Sequence, residues 1–97
     1  MSSPLQLTTD ELDPGEYIIV CNWGYNLNHT LTSTNITISS NDTLSKLLSL
    51  DKATAYMSSF WIEYYYVKLS DNGKITMKLT TNSSNGYAGV SITCIRL

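Results

Sequence analysis

The sequence predicts an all-β fold, an antiparallel β-sandwich, and three observations carry that reading. At least five runs are β-favouring or alternate apolar with polar residues, and each is bounded by Gly, Pro, Asn or Asp. Segments with helical periodicity are almost absent. The chain has 97 residues of which 42% are hydrophobic, enough for one modest core and too few for two domains.

Residues 1–13 read as a polar N-terminal arm or linker ending in Asp10, Glu11 and Asp13, ahead of a single domain over 14–97. Pro14-Gly15 supplies a turn, because Pro fixes φ and Gly accepts a positive one. From Glu16 the chain alternates, with Tyr17, Ile19, Cys21 and Trp23 on one face and Ile18, Val20 and Asn22 on the other. Two apolar faces predict a central strand or one covered on both sides. Residues 24–34 read as a loop leading into a half-buried strand over 34–39, with Ile36 and Ile38 inward. Over 41–59, Leu44, Leu47 and Leu48 follow an Asn41-Asp42 cap at helical spacing, so one short helix near 43–50 competes with a strand broken by a loop.

Residues 60–69 form an aromatic strand, Phe-Trp-Ile-Glu-Tyr-Tyr-Tyr-Val-Lys-Leu. Phe60 and Ile62 share one parity and Val67 and Leu69 the other, which requires a β-bulge or two buried faces. Asp71-Asn72-Gly73 reads as a tight hairpin turn into the clearest alternation of the chain, with Ile75, Met77 and Leu79 on one side. A polar loop over 81–86 leads to a last strand with Val90, Ile92 and Cys94 inward.

Composition excludes several function classes. Ser, Thr and Asn make 33 of 97 residues, while charged residues make 14% and the net charge is −2. Five Lys and one Arg scattered from Lys46 to Arg96 form no basic stripe for nucleic acid. The N-terminus has no secretory signal pattern, and no apolar run is long enough to insert in a membrane as a helix. His29, the sole imidazole, lies in a polar loop with nothing to tune it as a catalytic base. Glu16 and Glu63 are the carboxylates on strands, and Glu63 among aromatics is expected to pair with Tyr or Lys rather than to act on a glycosidic bond. The Asp10, Glu11 and Asp13 cluster lacks the spacing of a calcium loop. Cys21 and Cys94 without other clustered ligands do not make a zinc site; they are either buried reduced thiols or a disulfide between first and last strands. Neither cofactor nor enzymatic activity is expected. Four Asn-x-Ser/Thr sequons, at Asn28, Asn35, Asn41 and Asn82, barely exceed what this composition gives by chance.

The aromatic strand is the main functional candidate. Trp61, Glu63 and Tyr65, with Trp23 from the first alternating strand, are the residues expected at an oligomer interface or a ligand platform. Large amphipathic rings bury much area at low entropic cost, so subunit contact, two-sided burial and sugar stacking all fit the pattern.

The Pro14-Gly15-Glu16-Tyr17 opening, the alternating run over 35–39, the Asp71-Asn72-Gly73 turn between residues 67–70 and 74–79, and the end over 91–97 together carry a resemblance. The chain resembles the small trimeric jelly-roll heads of the tumour-necrosis-factor and complement-C1q type, in the form found on bacteriophage fibre tips and decoration proteins. That resemblance implies a jelly-roll-like sandwich and a non-enzymatic structural protein of the virion. It implies a homotrimer joined near the aromatic strand, with other virion proteins as neighbours and residues 1–13 leading to a stalk or capsid. The alternative is a carbohydrate- or receptor-binding module, reading a host-surface glycan through Trp23, Trp61 and the tyrosines.

Overall fold

The computed structural model describes residues 3–26, 31–50, 53–55, 58–81 and 88–97. They form eight strands: β1 (Ser3–Thr8), β2 (Gly15–Asn26), β3 (Leu31–Ile38), β4 (Ser45–Ser49), β5 (Ala53–Ala55), β6 (Ser58–Leu69), β7 (Ile75–Thr81) and β8 (Ala88–Arg96). Two antiparallel sheets result, one ordered β1-β7-β3 and the other β4-β6-β2-β8, with β5 on the start of β6. Five of the seven connections pass from one sheet to the other, giving a jelly-roll-like β-sandwich.

The alternation in β2, β6 and β7 places the core. Tyr17, Ile19, Cys21 and Trp23 of β2, side by side with Val67 and Leu69 of β6, face Ile75, Met77 and Leu79 of β7 in one buried cluster. Ile19, Val67, Ile75, Met77 and Leu79 are fully buried, each contributing about 1.5–3 kcal/mol relative to exposure. The pairing of β2 with β6 runs unbroken from Gly15 opposite Leu69 to Asn26 opposite Ser58. β2 is therefore central, as its two apolar faces predict, and no bulge interrupts its ladder with β6.

Three local expectations are corrected. First, residues 43–50 contain no helix; Ser45–Ser49 is β4, an edge strand on β6. A register shift between Lys46 and Leu48 inserts Leu47 as an extra residue, so leucines on a bulged strand fall at a spacing that imitates a helix. Leu44 packs on the core while Leu47 and Leu48 are exposed. Second, Asp71-Asn72-Gly73 does not close a hairpin, because β6 and β7 lie in different sheets. The turn arches between layers so that the buried Leu69 and Ile75 face a common interior. Its backbone pairs elsewhere: Gly73 exchanges hydrogen bonds with Leu12 (2.7 and 3.1 Å), and Ser39 N donates to the Lys74 carbonyl at 3.0 Å. Third, residues 1–13 are not wholly an arm, since β1 pairs with β7 over its length. Leu5 and Leu7 are half-buried and Gln6 and Thr8 exposed, a short alternation that covers one side of β7.

The arch is tied down by Asp42, whose carboxylate accepts from Ser40 Oγ (2.7 Å), Ser70 Oγ (2.9 Å) and Ser70 N (3.2 Å). Those donors, Ser40 first, hold its pKa below the ordinary carboxylate value. At the same end of the sheet Gly15, the ladder partner of Leu69, adopts φ 153°, and a Cβ there would meet Arg96 Nη2 at 2.9 Å. Arg96 in turn donates to the Pro14 carbonyl at 2.8 Å and lies over the Tyr17 ring. The C-terminal strand is thereby fixed to the turn that opens β2.

Cys21 and Cys94 are free. Cys94 stands opposite Ile19 on β8, so the two thiols are diagonal rather than directly paired. Diagonal Cα atoms lie about 7–8 Å apart, beyond the usual reach of a disulfide.

Candidate functional site

Strand β6 sorts its side chains strictly by parity. Ser59, Trp61, Glu63, Tyr65, Val67 and Leu69 face the other sheet, whereas Phe60, Ile62, Tyr64, Tyr66 and Lys68 face outward. The four residues singled out from sequence do come together, but on the inner face. Trp23, Glu63 and Tyr65 are buried and Trp61 is half-buried. Trp23 is opposite Trp61 in the ladder and stacks on it, with centroids 6.1 Å apart and planes 14° from parallel. Tyr25 meets the edge of Trp61 at 6.1 Å. These rings are an interior stack rather than an outer platform.

Glu63 is 8% exposed and its carboxylate is enclosed by donors. Oε1 accepts from Trp23 Nε1 at 2.8 Å and from the Tyr65 hydroxyl at 3.1 Å, and Oε2 accepts from Lys46 Nζ at 3.1 Å. Glu63 thus pairs with Tyr and Lys as its aromatic setting predicts, and the indole N–H is an added partner. An isolated carboxylate here would cost several kcal/mol, and the three donors offset that cost. Burial, then the Glu63 charge, pushes the Tyr65 hydroxyl up. Burial first, then Glu63 and Cys94, pushes the Cys21 thiol up to about 12. Such a thiol stays protonated and is a poor nucleophile.

Glu16 and Glu63 cannot flank one bond. Glu63 points inward, while Glu16 is exposed on the outer side of β2, where it accepts from the Tyr66 hydroxyl at 2.6 Å. Asp10, Glu11 and Asp13 are exposed; Glu11 accepts from Asn72 Nδ2, and Asp13 serves through its carbonyl, which accepts from the Tyr17 hydroxyl at 2.7 Å. Of the sequons, Asn35 and Asn41 are exposed, whereas Asn28, His29 and Asn82 lie outside the described residues.

The outer faces of the two sheets differ sharply. On the β1-β7-β3 sheet the outward residues include Gln6, Thr8, Asn35, Thr37, Thr76 and Lys78, and Thr8 and Thr76 share a 2.9 Å hydroxyl bond. On the β4-β6-β2-β8 sheet they are Ser45, Leu48 and Leu50 at one edge, then Phe60, Ile62, Tyr64 and Tyr66, then Ile18, Val20 and Asn22, then Ser91, Thr93 and Ile95, so the apolar part spans β4, β6 and half of β2 and gives way to polar residues on β8. Leu48, Leu50, Phe60 and Ile95 are each 44–52% exposed. Among the described residues, charge on this face is confined to one end, where Glu16 stands opposite Lys68 in the ladder. This outward set is not among the residues that the sequence singles out, which are its inward neighbours on the same strands. The signal is the parity conflict between Phe60 with Ile62 and Val67 with Leu69, since a strand with large apolar residues on both parities offers one apolar face to something outside its own core.

No family model matches the chain, and neither a curated protein nor a solved structure matches it.

Proposed function

We propose that this protein is a non-enzymatic structural subunit that assembles with copies of itself through the outer face of the β4-β6-β2-β8 sheet. The observation that carries the reading is the asymmetry between a hydroxyl-rich outer face and one whose β4–β6–β2 part carries leucine, isoleucine, valine and aromatic side chains side by side. A monomer gains nothing from exposing leucines, isoleucines and aromatic rings side by side, and contiguous patches of this kind mark interaction surfaces. The dimensions suit a stable assembly. Four strands about 4.8 Å apart and about 30 Å long present roughly 600 Å² of flat area, the scale of the ~800 Å² per partner in standard interfaces.

Tyr64 and Tyr66 at the centre and Leu48 and Ile95 toward the edges give the arrangement of aromatic anchors within an apolar surround that such interfaces use. In the form implied by the resemblance to trimeric jelly-roll heads, the assembly is a homotrimer on a virion, and the hydroxyl-rich sheet is its exterior. Few surface charges leave such a contact insensitive to salt. Mass measurement in solution tests the reading. A species of three times 10.8 kDa supports the trimeric head, a dimer retains the face but removes the head, and a monomer at micromolar concentration overturns both.

A further inference from the structure

The two sides of the sandwich are closed to different degrees. The edge strands β1 and β8 run close together, whereas β3 and β4 approach each other far less. Between β3 and β4 a cleft of about 200 Å³ opens toward the buried carboxylate, its lining including Trp23, Thr34, Ile36, Lys46, Glu63 and Tyr65. Thr34 is exposed at the β3 rim, and the Lys46 side chain is half-exposed at the β4 rim.

The chemistry of this cleft is specific. Glu63 and Lys46 neutralise one another, so neither a free anion nor a free cation meets a net opposite charge. The carboxylate has about four lone-pair sites and three donors, which leaves Oε2 able to accept once more. Lys46 has three N–H donors and spends one on Glu63, leaving two to donate. A group that donates to Glu63 and accepts from Lys46 a few ångströms away is matched by neighbouring hydroxyls on one ring. Thr34 adds a further hydroxyl at the mouth, the half-buried Ile36 supplies apolar contact at the ring's edge, and the buried Trp23 indole backs the carboxylate and so reports on the cleft. The volume admits one ring and not a chain of them.

We infer that the β3–β4 cleft, built on the Glu63–Lys46 pair, is a binding site for a single neutral sugar ring, such as the terminal residue of a glycan. Two adjacent hydroxyls engage the pair, one donating to Glu63 Oε2 and one accepting from Lys46 Nζ. The cleft opens at the edge of the sandwich, away from the outer face assigned to assembly, so an assembled protein keeps it available. Failure of this inference therefore leaves the assembly reading standing.

The test uses methyl glycosides of glucose, galactose, mannose and N-acetylglucosamine, each titrated to tens of millimolar into the 97-residue protein. Saturation-transfer NMR and tryptophan emission are the readouts. At least one glycoside gives saturation transfer with a millimolar Kd. Lys46→Met weakens it about tenfold, and Thr34→Val, at an exposed position that folding tolerates, weakens it by a smaller factor. Absence of a response to all of these probes overturns the inference, and so does binding that both variants leave unchanged.

Discussion

Replacing Glu63 separates a structural carboxylate from an incidental one. In Glu63→Ala the Trp23 indole N–H and the Tyr65 hydroxyl lose their acceptor inside a sandwich where both residues are buried. A buried donor without a partner costs about 1–3 kcal/mol, so the two together cost roughly 2–6 kcal/mol. A domain of this size has about 5–15 kcal/mol of total stability, and the variant approaches the limit of folding. Glu63→Gln keeps an oxygen for the same donors and loses only the charge assistance and the Lys46 pair, about 1–2 kcal/mol. Urea unfolding followed by tryptophan emission, at one fixed protein concentration, reads both. With a slope near 1–1.5 kcal/mol per molar urea, Glu63→Gln lowers the midpoint by about 1 M and Glu63→Ala by at least twice that. A Glu63→Ala midpoint equal to that of the parent protein refutes the reasoning. Equal losses in the two variants refute the part that rests on the retained oxygen.

Two further predictions concern the same core and its seam. The Cys21 thiol ordinarily titrates near 9.0 and is pushed up to about 12 in the fold, so the folded protein holds a proton that the unfolded chain releases. Its contribution is complete below pH 9 and is lost as pH rises from 9 toward 12; thermal midpoints at pH 8 and pH 10 fall less steeply in Cys21→Ala, and parallel slopes contradict this. At the opening of β2, Gly15→Ala forces a positive φ on alanine and drives its Cβ into the Arg96 guanidinium, costing about 1–3 kcal/mol by urea unfolding. Arg96→Ala in the same chain relieves the contact but not the backbone strain, so only partial recovery is expected.

What the sequence made legible was whatever depends on period two. The inward faces of β2, β7 and β8 follow directly from alternation over Tyr17–Trp23, Ile75–Leu79 and Val90–Cys94. What it concealed depends on partners far along the chain. The leucines of β4 take a helical spacing because a bulge at Leu47 shifts their phase, and nothing local announces a bulge. Asp71-Asn72-Gly73 has hairpin chemistry, yet whether two strands pair or arch is decided by which sheet each joins. For the candidate site, the pairing of Glu63 was foreseeable from its neighbours, but its burial rests on Trp23, forty residues away in sequence. Choosing which parity of β6 faces inward required the other sheet, because both parities carry large apolar rings.

The central claim is that the outer face of the β4-β6-β2-β8 sheet joins copies of this chain, and solution mass tests it most directly. Sedimentation of the parent protein and of Tyr64→Glu, which sets a charge in the middle of that face, is compared across micromolar concentrations. The account predicts a trimer of the 10.8 kDa chain for the parent and a folded monomer for the variant. A parent protein that sediments as a monomer throughout, or a variant that assembles as the parent does, contradicts it.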